Sequence, residues 1–170
     1  MTSRLSPALL AIALLIPLAT LAGCATTQPE VDESMTWQEA KKSAQQTENE
    51  IVALIPSDQI VTTTQGATGT LLSCDDTQYQ WTGRTTVKLA PGADVEPLVT
   101  TIAEHYDENG DLTPEQYADI NGDLTVQLIA HDGKENYLVG AGTKSAEELE
   151  VTSFSACFVL PDDVYPGGEF

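Results

Sequence analysis

The side chains best suited to catalysis are sparse in this chain, and their spacing matches no common catalytic motif. Its two histidines, His105 and His131, belong to the residue type that gains and loses a proton near neutral pH. They do not follow a zinc spacing such as His-x₃-His, and no cysteines lie beside them. The sequence contains neither a Gly-x-Ser-x-Gly nucleophile motif nor a glycine-rich phosphate-binding loop. We therefore predict no catalytic residue, no metal site and no cofactor, and we favour a non-enzymatic role while leaving an enzymatic one open.

An acidic stretch, residues 105–123, concentrates oxygen-bearing side chains that could bind a cation. Three of them have the spacing that opens an EF-hand calcium loop: Asp107, Asn109 and Asp111. The sixth position of that loop would be Leu112 instead of glycine, and the twelfth would be Ala118 instead of a bidentate glutamate. We therefore expect a helix end followed by an acidic loop, and weak cation binding stays open.

The first 23 residues differ in composition from the rest of the chain. Arg4 is their only charged residue, and residues 7–22 are all apolar, small or hydroxylated. The densest apolar run, residues 8–18, is shorter than the ~20 residues that a membrane-spanning helix needs. It matches the hydrophobic core of a secretory signal peptide, so we predict that residues 1–23 are removed on export.

The apolar run ends in Leu21-Ala22-Gly23-Cys24, which resembles the lipobox of bacterial lipoprotein signal peptides. The resemblance implies that Cys24 carries a diacylglyceryl group and is the first residue of the mature chain. Because residues 25–35 are polar and aperiodic, residues 24–35 are predicted to form the lipidated cysteine and a flexible tether. The protein would then be anchored to the outer face of the cell membrane. The alternative is an ordinary secretory signal that happens to precede a cysteine.

The charge of the chain limits its partners. It has 26 aspartates and glutamates against 7 lysines and arginines, which gives a net charge of −19 at pH 7. A surface that binds nucleic acid needs the opposite sign, so we predict no nucleic-acid partner. Anionic headgroups are also repelled, so the lipid on Cys24 would have to hold the domain without electrostatic help. We favour a role of this charge in solubility, and attraction of cations or basic partners is the alternative.

With Cys24 assigned to lipid, Cys74 and Cys157 remain. Both lie in β-rich segments, and a location outside the cytoplasm permits disulfides. We predict a disulfide between them, and two buried free thiols are the alternative. Neither cysteine has a Cys-x-x-Cys partner or an adjacent basic residue to activate it, so a catalytic cysteine is not expected.

Two amphipathic helices are predicted. The first covers residues 36–55, where Thr36 and Glu39 form a capping box and apolar residues recur at steps of three and four. The second lies within residues 91–110; Asp94 can cap its start and Gly110 can end it.

Five strands are predicted from alternating and β-rich patterns. Residues 70–74 and 79–90 form an antiparallel hairpin, and the longer strand alternates between apolar and polar side chains. Three more strands follow, with an Asp132-Gly133 turn between the first two: residues 123–131, 136–143 and 148–160. Residues 62–69 are expected to be a polar connector. Residues 111–122 are expected to be a loop with at most one helical turn at 114–118.

This order of elements, α-β-β-α-β-β-β, predicts an α+β fold. The expected architecture is a two-layer sandwich, with a five-stranded antiparallel sheet and both helices on one face. Residues 36–163 would form this single domain, and residues 164–170 an irregular tail.

In layout the chain resembles small secreted lipoproteins of actinobacteria. The shared features are the lipobox at Leu21–Cys24, an acidic and threonine-rich mature chain, and the cysteines in "LLSC" and "SFSACF". The resemblance implies an envelope location and no particular activity. Our leading hypothesis is a membrane-anchored binding or interaction domain for a protein or small-molecule partner that the sequence does not specify. An envelope hydrolase and a purely structural envelope protein are the alternatives.

Overall fold

The computed structural model describes residues 35–145 and 147–170. The predicted signal peptide, Cys24 and residues 25–34 of the predicted tether lie outside the described residues. The helices and strands in chain order are α1 Trp37–Val52, β1 Ile60–Gln65, β2 Thr70–Ser73, β3 Gln78–Leu89, α2 Val95–Asn109, β4 Leu112–Ala118, β5 Leu124–Ala130, β6 Asn136–Ala141, β7 Glu148–Phe154 and β8 Phe158–Val159. A short 3₁₀ turn, Ser57–Gln59, precedes β1.

One antiparallel sheet contains the eight strands of the described residues. Its order is β1-β3-β7-β6-β5-β4, and β2 and β8 also pair with the long strand β3. The predicted α+β class is confirmed, including the antiparallel sheet, the hairpin of β2 and β3 and the hairpin of β5 and β6. The predicted number of strands, five, is wrong.

Two of the additional strands lie at the edges of the sheet, where sequence patterns are weakest. β1 reads IVTTTQ and is rich in β-branched residues, but most of its side chains are exposed, so it lacks the alternation that marks a half-buried strand. β4 contains Pro114, which discourages a strand assignment, although proline is tolerated on an edge strand. The expected connector at 62–69 and the expected loop at 111–122 are therefore largely replaced by strands.

The predicted strand at 148–160 is interrupted after Phe154. The backbone N–H of Trp81 donates to the hydroxyl of Ser155 at 2.9 Å, and the N–H of Ser155 donates to the carbonyl of Trp81 at 3.0 Å. Because a side chain occupies one position of the ladder, regular pairing stops there and resumes at β8.

Both helices begin where the sequence predicts. The Thr36 hydroxyl accepts from the N–H of Glu39 at 3.3 Å, and the Glu39 carboxylate accepts from the N–H of Thr36 at 3.0 Å, which completes the capping box. Asp94 caps α2, and Gly110 ends it in the left-handed conformation at φ 75°. The first helix ends at Val52, three residues before the predicted end. Between Val52 and Pro56 the backbone continues in tighter turns, in which the N–H of Leu54 donates to the carbonyl of Ile51 at 3.1 Å.

The main core lies between the two helices and one face of the sheet. It contains apolar residues from α1, α2, β3, β5, β6 and β7, and its largest members include Ile51, Ile102, Leu128, Tyr137 and Leu149. A second cluster packs under the start of α1 around the fully buried Trp81. Within the described ranges, neither helix is long and apolar enough to cross a bilayer.

Candidate functional site

Glu48 is a fully buried carboxylate on the sheet-facing side of α1. Its Oε1 accepts a hydrogen bond from the Ser153 hydroxyl at 2.5 Å, and its Oε2 accepts from the Thr85 hydroxyl at 2.7 Å. The Gln65 side-chain amide also donates to Oε2, at 2.9 Å. These three donors come from β7, β3 and β1, so the carboxylate fastens α1 to three strands. A fully buried group surrounded by donors is suited to holding the fold and is not exposed to a substrate.

Two tyrosines have hydroxyl groups that are hard to ionise. Burial, together with the nearby negative charges of Glu50 and Asp111, raises the pKa of Tyr106 to about 12. Burial also raises the pKa of Tyr137, whose hydroxyl donates to Glu135 at 2.8 Å. Both phenols therefore stay protonated at neutral pH and serve as buried packing groups with one polar end.

The two histidines make separate local contacts. His131 contacts the carbonyl of Gly110 through Nε2, at the C-terminal end of α2. His105 lies edge-on to Tyr106 with ring centroids 5.3 Å apart, and Asn109 reaches its Nδ1 at 3.3 Å. Each ring is thus engaged with the C-terminal half of α2 or its cap.

The acidic stretch is divided among a helix, a strand and a turn. Asp107 and Asn109 belong to the last turn of α2, and β4 begins at Leu112, so no loop encloses the candidate ligands. Asp119 lies after β4, and its carboxylate accepts from the N–H groups of Asn121 at 2.7 Å and Asp123 at 2.9 Å. The backbone hydrogen bonds from Asp123 and Asn121 lower the pKa of Asp119. Across residues 35–145 and 147–170, no group of three potential metal ligands is close enough to hold an ion.

The structure contains the disulfide that the sequence favours, between Cys74 and Cys157. Cys74 follows β2, and Cys157 lies in the break between β7 and β8. The bond joins segments separated by 83 residues in sequence and links the two short strands that flank the start of β3. Because neither sulfur is a free thiol, this pair supplies no nucleophile in the folded state.

The end of the chain packs beside this disulfide-bonded region. Residues 164–170 are irregular in backbone, and Phe170 is buried in the cluster around Trp81. Its carbonyl accepts from the N–H of Gly69 at 2.7 Å and from the indole N–H of Trp81 at 3.2 Å. Its ring meets Trp37 of α1 edge-on at 5.3 Å. The tail therefore helps to hold the start of α1, where the predicted tether joins the domain.

The sheet face opposite the helices carries both charged and apolar side chains. Since side chains alternate along each strand, Arg84 and Glu150 point to this face, where they form an ion pair at 3.5 Å. Leu138 pairs with Thr152 two positions from Phe154, so these apolar side chains share the same face and are half-buried. In the described part of the chain, both helices pack on the other side. We refer to this helix-free side of the sheet as the outer face.

Several shallow clefts open on the helix side. One of about 510 Å³ lies between the 3₁₀ turn and the start of α2, and three prolines line it together with two carboxylates: Pro56, Pro91, Pro97, Asp58 and Asp94. Its volume falls within the ~300–1,000 Å³ of typical small-ligand sites. Its Asp94 carboxylate, however, already accepts from the N–H of Glu96 at 3.3 Å. A smaller cleft of about 270 Å³ lies beside His105 and Tyr106.

No family model matches the chain, and no curated protein matches it. Among solved structures, the chain is similar to the crystal structure of LppA from Mycobacterium tuberculosis, a protein provisionally described as a lipoprotein. The TM-score is 0.43 and the identity is 12%, over 78% of this chain and 82% of that chain. A likeness at this level does not establish a shared function.

The predicted disulfide between Cys74 and Cys157 is present in the structure. The predicted lipidation site, Cys24, lies outside the described residues. Two features had no signature in the sequence. The buried carboxylate of Glu48 occupies an apolar stripe of α1, and its three donors are distant in sequence. The free edge of β4 could be recognised only once the topology was known.

Proposed function

We propose that this protein is an extracytoplasmic lipoprotein that holds a binding domain at the outer face of the cell membrane. The observation that carries the proposal is the Leu21-Ala22-Gly23-Cys24 motif at the end of a signal-peptide-like run. The polar residues 25–35 separate this motif from the capped start of α1 at Thr36. A lipid on Cys24 would therefore leave the domain intact and free to face a partner.

The anchor has a simple physical basis. A diacylglyceryl group provides two acyl chains, and each buried CH₂ contributes ~0.8 kcal/mol to membrane binding. Two chains hold a protein stably where one chain gives only reversible binding. This matters for a chain with a net charge of −19, because anionic headgroups repel it.

The disulfide supports an extracytoplasmic location. Disulfides persist in oxidising compartments and are rare in the reducing cytosol. The Cys74–Cys157 bond fastens β2 to the β7–β8 break, and both cysteines are therefore used structurally. That assignment leaves Cys24 as the remaining cysteine of three.

A binding role is supported by what the domain exposes. The outer face offers a broad surface with mixed apolar and charged side chains, including Leu138, Phe154 and Arg84. Antiparallel sheets commonly leave one face to solvent, so exposure alone does not define a partner. The buried polar groups at Glu48 and Tyr137 are satisfied internally, which supports a structural use for them.

Membrane fractionation tests the anchor. In an exporting host, the wild-type protein should partition with membranes, whereas Cys24→Ala should be retained as unprocessed precursor or appear outside the cell. Thr26→Ala, two residues beyond the motif, is the matched control and should behave as wild type. Membrane retention of a processed Cys24→Ala chain would contradict the proposal.

A photoreactive amino acid tests the binding role. Tyr117 is 42% exposed on the last strand of the sheet, on its outer face. A photoreactive residue in its place should give one discrete cross-linked protein adduct in native membranes. The same residue at Asp76, in the turn beyond the opposite edge of the sheet, should not give that adduct. Identical adducts at both positions, or none at Tyr117, would contradict a binding role for this surface.

A further inference from the structure

The sheet ends at β4, and the outward edge of β4 is unpaired in the described part of the chain. The N–H of Asp119 donates to the carbonyl of Asp123 at 2.9 Å, so these two residues are a hydrogen-bonded pair at the end of the β4–β5 hairpin. In an antiparallel pair, alternate residues bond to the partner and the others point their backbone groups away. The register therefore directs the backbone groups of four residues to the free edge: Leu112, Pro114, Gln116 and Ala118.

Pro114 limits where another strand could pair. It lacks an N–H group, so the free edge has no donor at that position. Beyond it, Gln116 and Ala118 each present both an N–H donor and a carbonyl acceptor. At the opposite side of the sheet, the register of β1 is broken between Ile60 and Thr62, a distortion that discourages strand addition. The segment after Pro114 is thus a better-formed open edge than β1.

Exposed apolar side chains accompany this open edge. Tyr117 is 42% exposed, and Ile120 projects fully into solvent from the turn that follows β4. The Asp119 carboxylate holds that turn through hydrogen bonds from the backbone N–H groups of Asn121 and Asp123. Ile120 is therefore displayed on an ordered turn, which lowers the conformational cost of using it in an interface.

The charge around β4 indicates which partner would fit. Between Lys88 and Lys134 the chain holds ten aspartates and glutamates and no lysine or arginine. This segment includes α2, β4 and β5, and Glu115 lies exposed within β4 itself. A second copy of the chain would bring like charges together, and an anionic lipid surface would be repelled. A positively charged protein segment is attracted by the same field.

We propose that the free edge of β4, from Gln116 to Ile120, binds an extended segment of a partner protein that carries lysine or arginine. The backbone of Gln116 and Ala118 pairs with the segment as an additional strand, and Tyr117 and Ile120 supply apolar contacts. The surrounding carboxylates select a basic segment and speed its approach. This inference deepens the proposed function by naming the partner class, and it does not depend on whether Cys24 carries lipid.

The test uses the exported full chain, purified in mild detergent from whichever cell fraction holds it. The probe is a synthetic nine-residue peptide that alternates lysine with valine or threonine, and a glutamate-for-lysine version is the control peptide. We expect the lysine peptide to shift the amide resonances of residues 116–120 and to slow hydrogen exchange at Gln116 and Ala118. Raising the salt from ~0.05 to ~0.5 M should weaken binding on the order of tenfold, because exposed charges are screened.

Two variants separate strand pairing from simple charge attraction. Gln116→Pro removes a donor that faces away from β5 and should weaken binding about fivefold, the loss expected for one backbone hydrogen bond. Glu115→Lys should weaken binding as well, whereas Asp76→Lys, which changes net charge equally at the far edge of the sheet, should not. Thermal unfolding shows whether each variant is folded. If Gln116→Pro does not fold, the comparison of Glu115→Lys with Asp76→Lys still tests the site.

Several outcomes would overturn the inference. One is equal weakening by Asp76→Lys and Glu115→Lys, which would show charge attraction without a site. Another is peptide binding on the outer face or in a cleft with no change at residues 116–120. A third is wild-type self-association that Gln116→Pro abolishes, which would make a second copy the occupant. Failure of the anchor experiment would leave peptide binding unaffected, so the two proposals can fail separately.

Discussion

Removal of the Cys74–Cys157 disulfide is expected to reduce the free energy of unfolding by about 4.5 kcal/mol. The bond closes a loop with a sequence separation of 83 residues. In the chain-entropy treatment, opening a loop of that size gives the unfolded chain ~15 cal/mol/K of additional entropy, which is about 4.5 kcal/mol at 25 °C. Domains of this size are stable by only about 5–15 kcal/mol, so the loss would be a large share of the total.

Urea unfolding of the Cys74→Ala/Cys157→Ala double variant measures this loss. Trp81 is fully buried, so its fluorescence reports the transition. Cys74 is exposed and Cys157 only half-buried, so little packing is lost with the sulfur atoms. Reduction of the wild-type disulfide should lower stability by a similar amount and should not affect the double variant. If both treatments change the free energy of unfolding by less than about 1 kcal/mol, the loop-closure reasoning is wrong.

Three further perturbations test the interior. Glu48→Gln places an amide donor among three hydrogen-bond donors and should cost about 1–3 kcal/mol of unfolding free energy, measured by urea titration. Gly83→Ala should cost about 1–3 kcal/mol in the same assay, because the new Cβ would lie 2.0 Å from Cη2 of the buried Trp81. Above pH ~10, the unfolded chain loses protons that folded Tyr106 and Tyr137 retain, since burial raises the pKa of both. The contribution of these two phenols to the free energy of unfolding is fully present below that pH. It should fall by about 1.4 kcal/mol per pH unit for each tyrosine as pH rises from ~10 toward the Tyr106 pKa of about 12.

Each of these expectations has a result that would contradict it. A Glu48→Gln protein as stable as wild type would show that the three donors do not require a carboxylate. A neutral Gly83→Ala change would mean that the Trp81 ring moves aside without cost. In alkali, Tyr137→Phe should remove about half of the two-tyrosine slope, and an unchanged slope would show that this phenol is not protected in the fold.

The sequence predicts the parts of the fold that carry strong local signals. Thr36 and Glu39 mark the first helix start, and Asp94 and Gly110 bracket the second. The sequence does not predict β1 and β4, because edge strands bury few side chains and so show no clear alternation of apolar and polar residues. In β4, Pro114 also argues against a strand. These strands form because they add hydrogen bonds to an existing sheet, which is a tertiary effect that a local pattern cannot reveal.

Some candidate sites could likewise be predicted from the sequence, and others could not. The cysteine pairing follows from compartment and count, so Cys74 and Cys157 could be joined before the structure was known. The role of Glu48 could not be predicted from the sequence, because its donors come from three strands that are distant in sequence. The open edge at Gln116 depends on the strand order and on the hydrogen-bonding phase of one hairpin.

Cys24 is proposed to anchor the domain to a membrane. Intact-mass spectrometry of protein extracted from membranes of an exporting host tests this anchor. The mature chain should begin at Cys24 and should carry the added mass of a diacylglyceryl group on that residue. An unmodified Cys24 at the mature N-terminus, or cleavage at another site, would contradict the proposed lipid anchor.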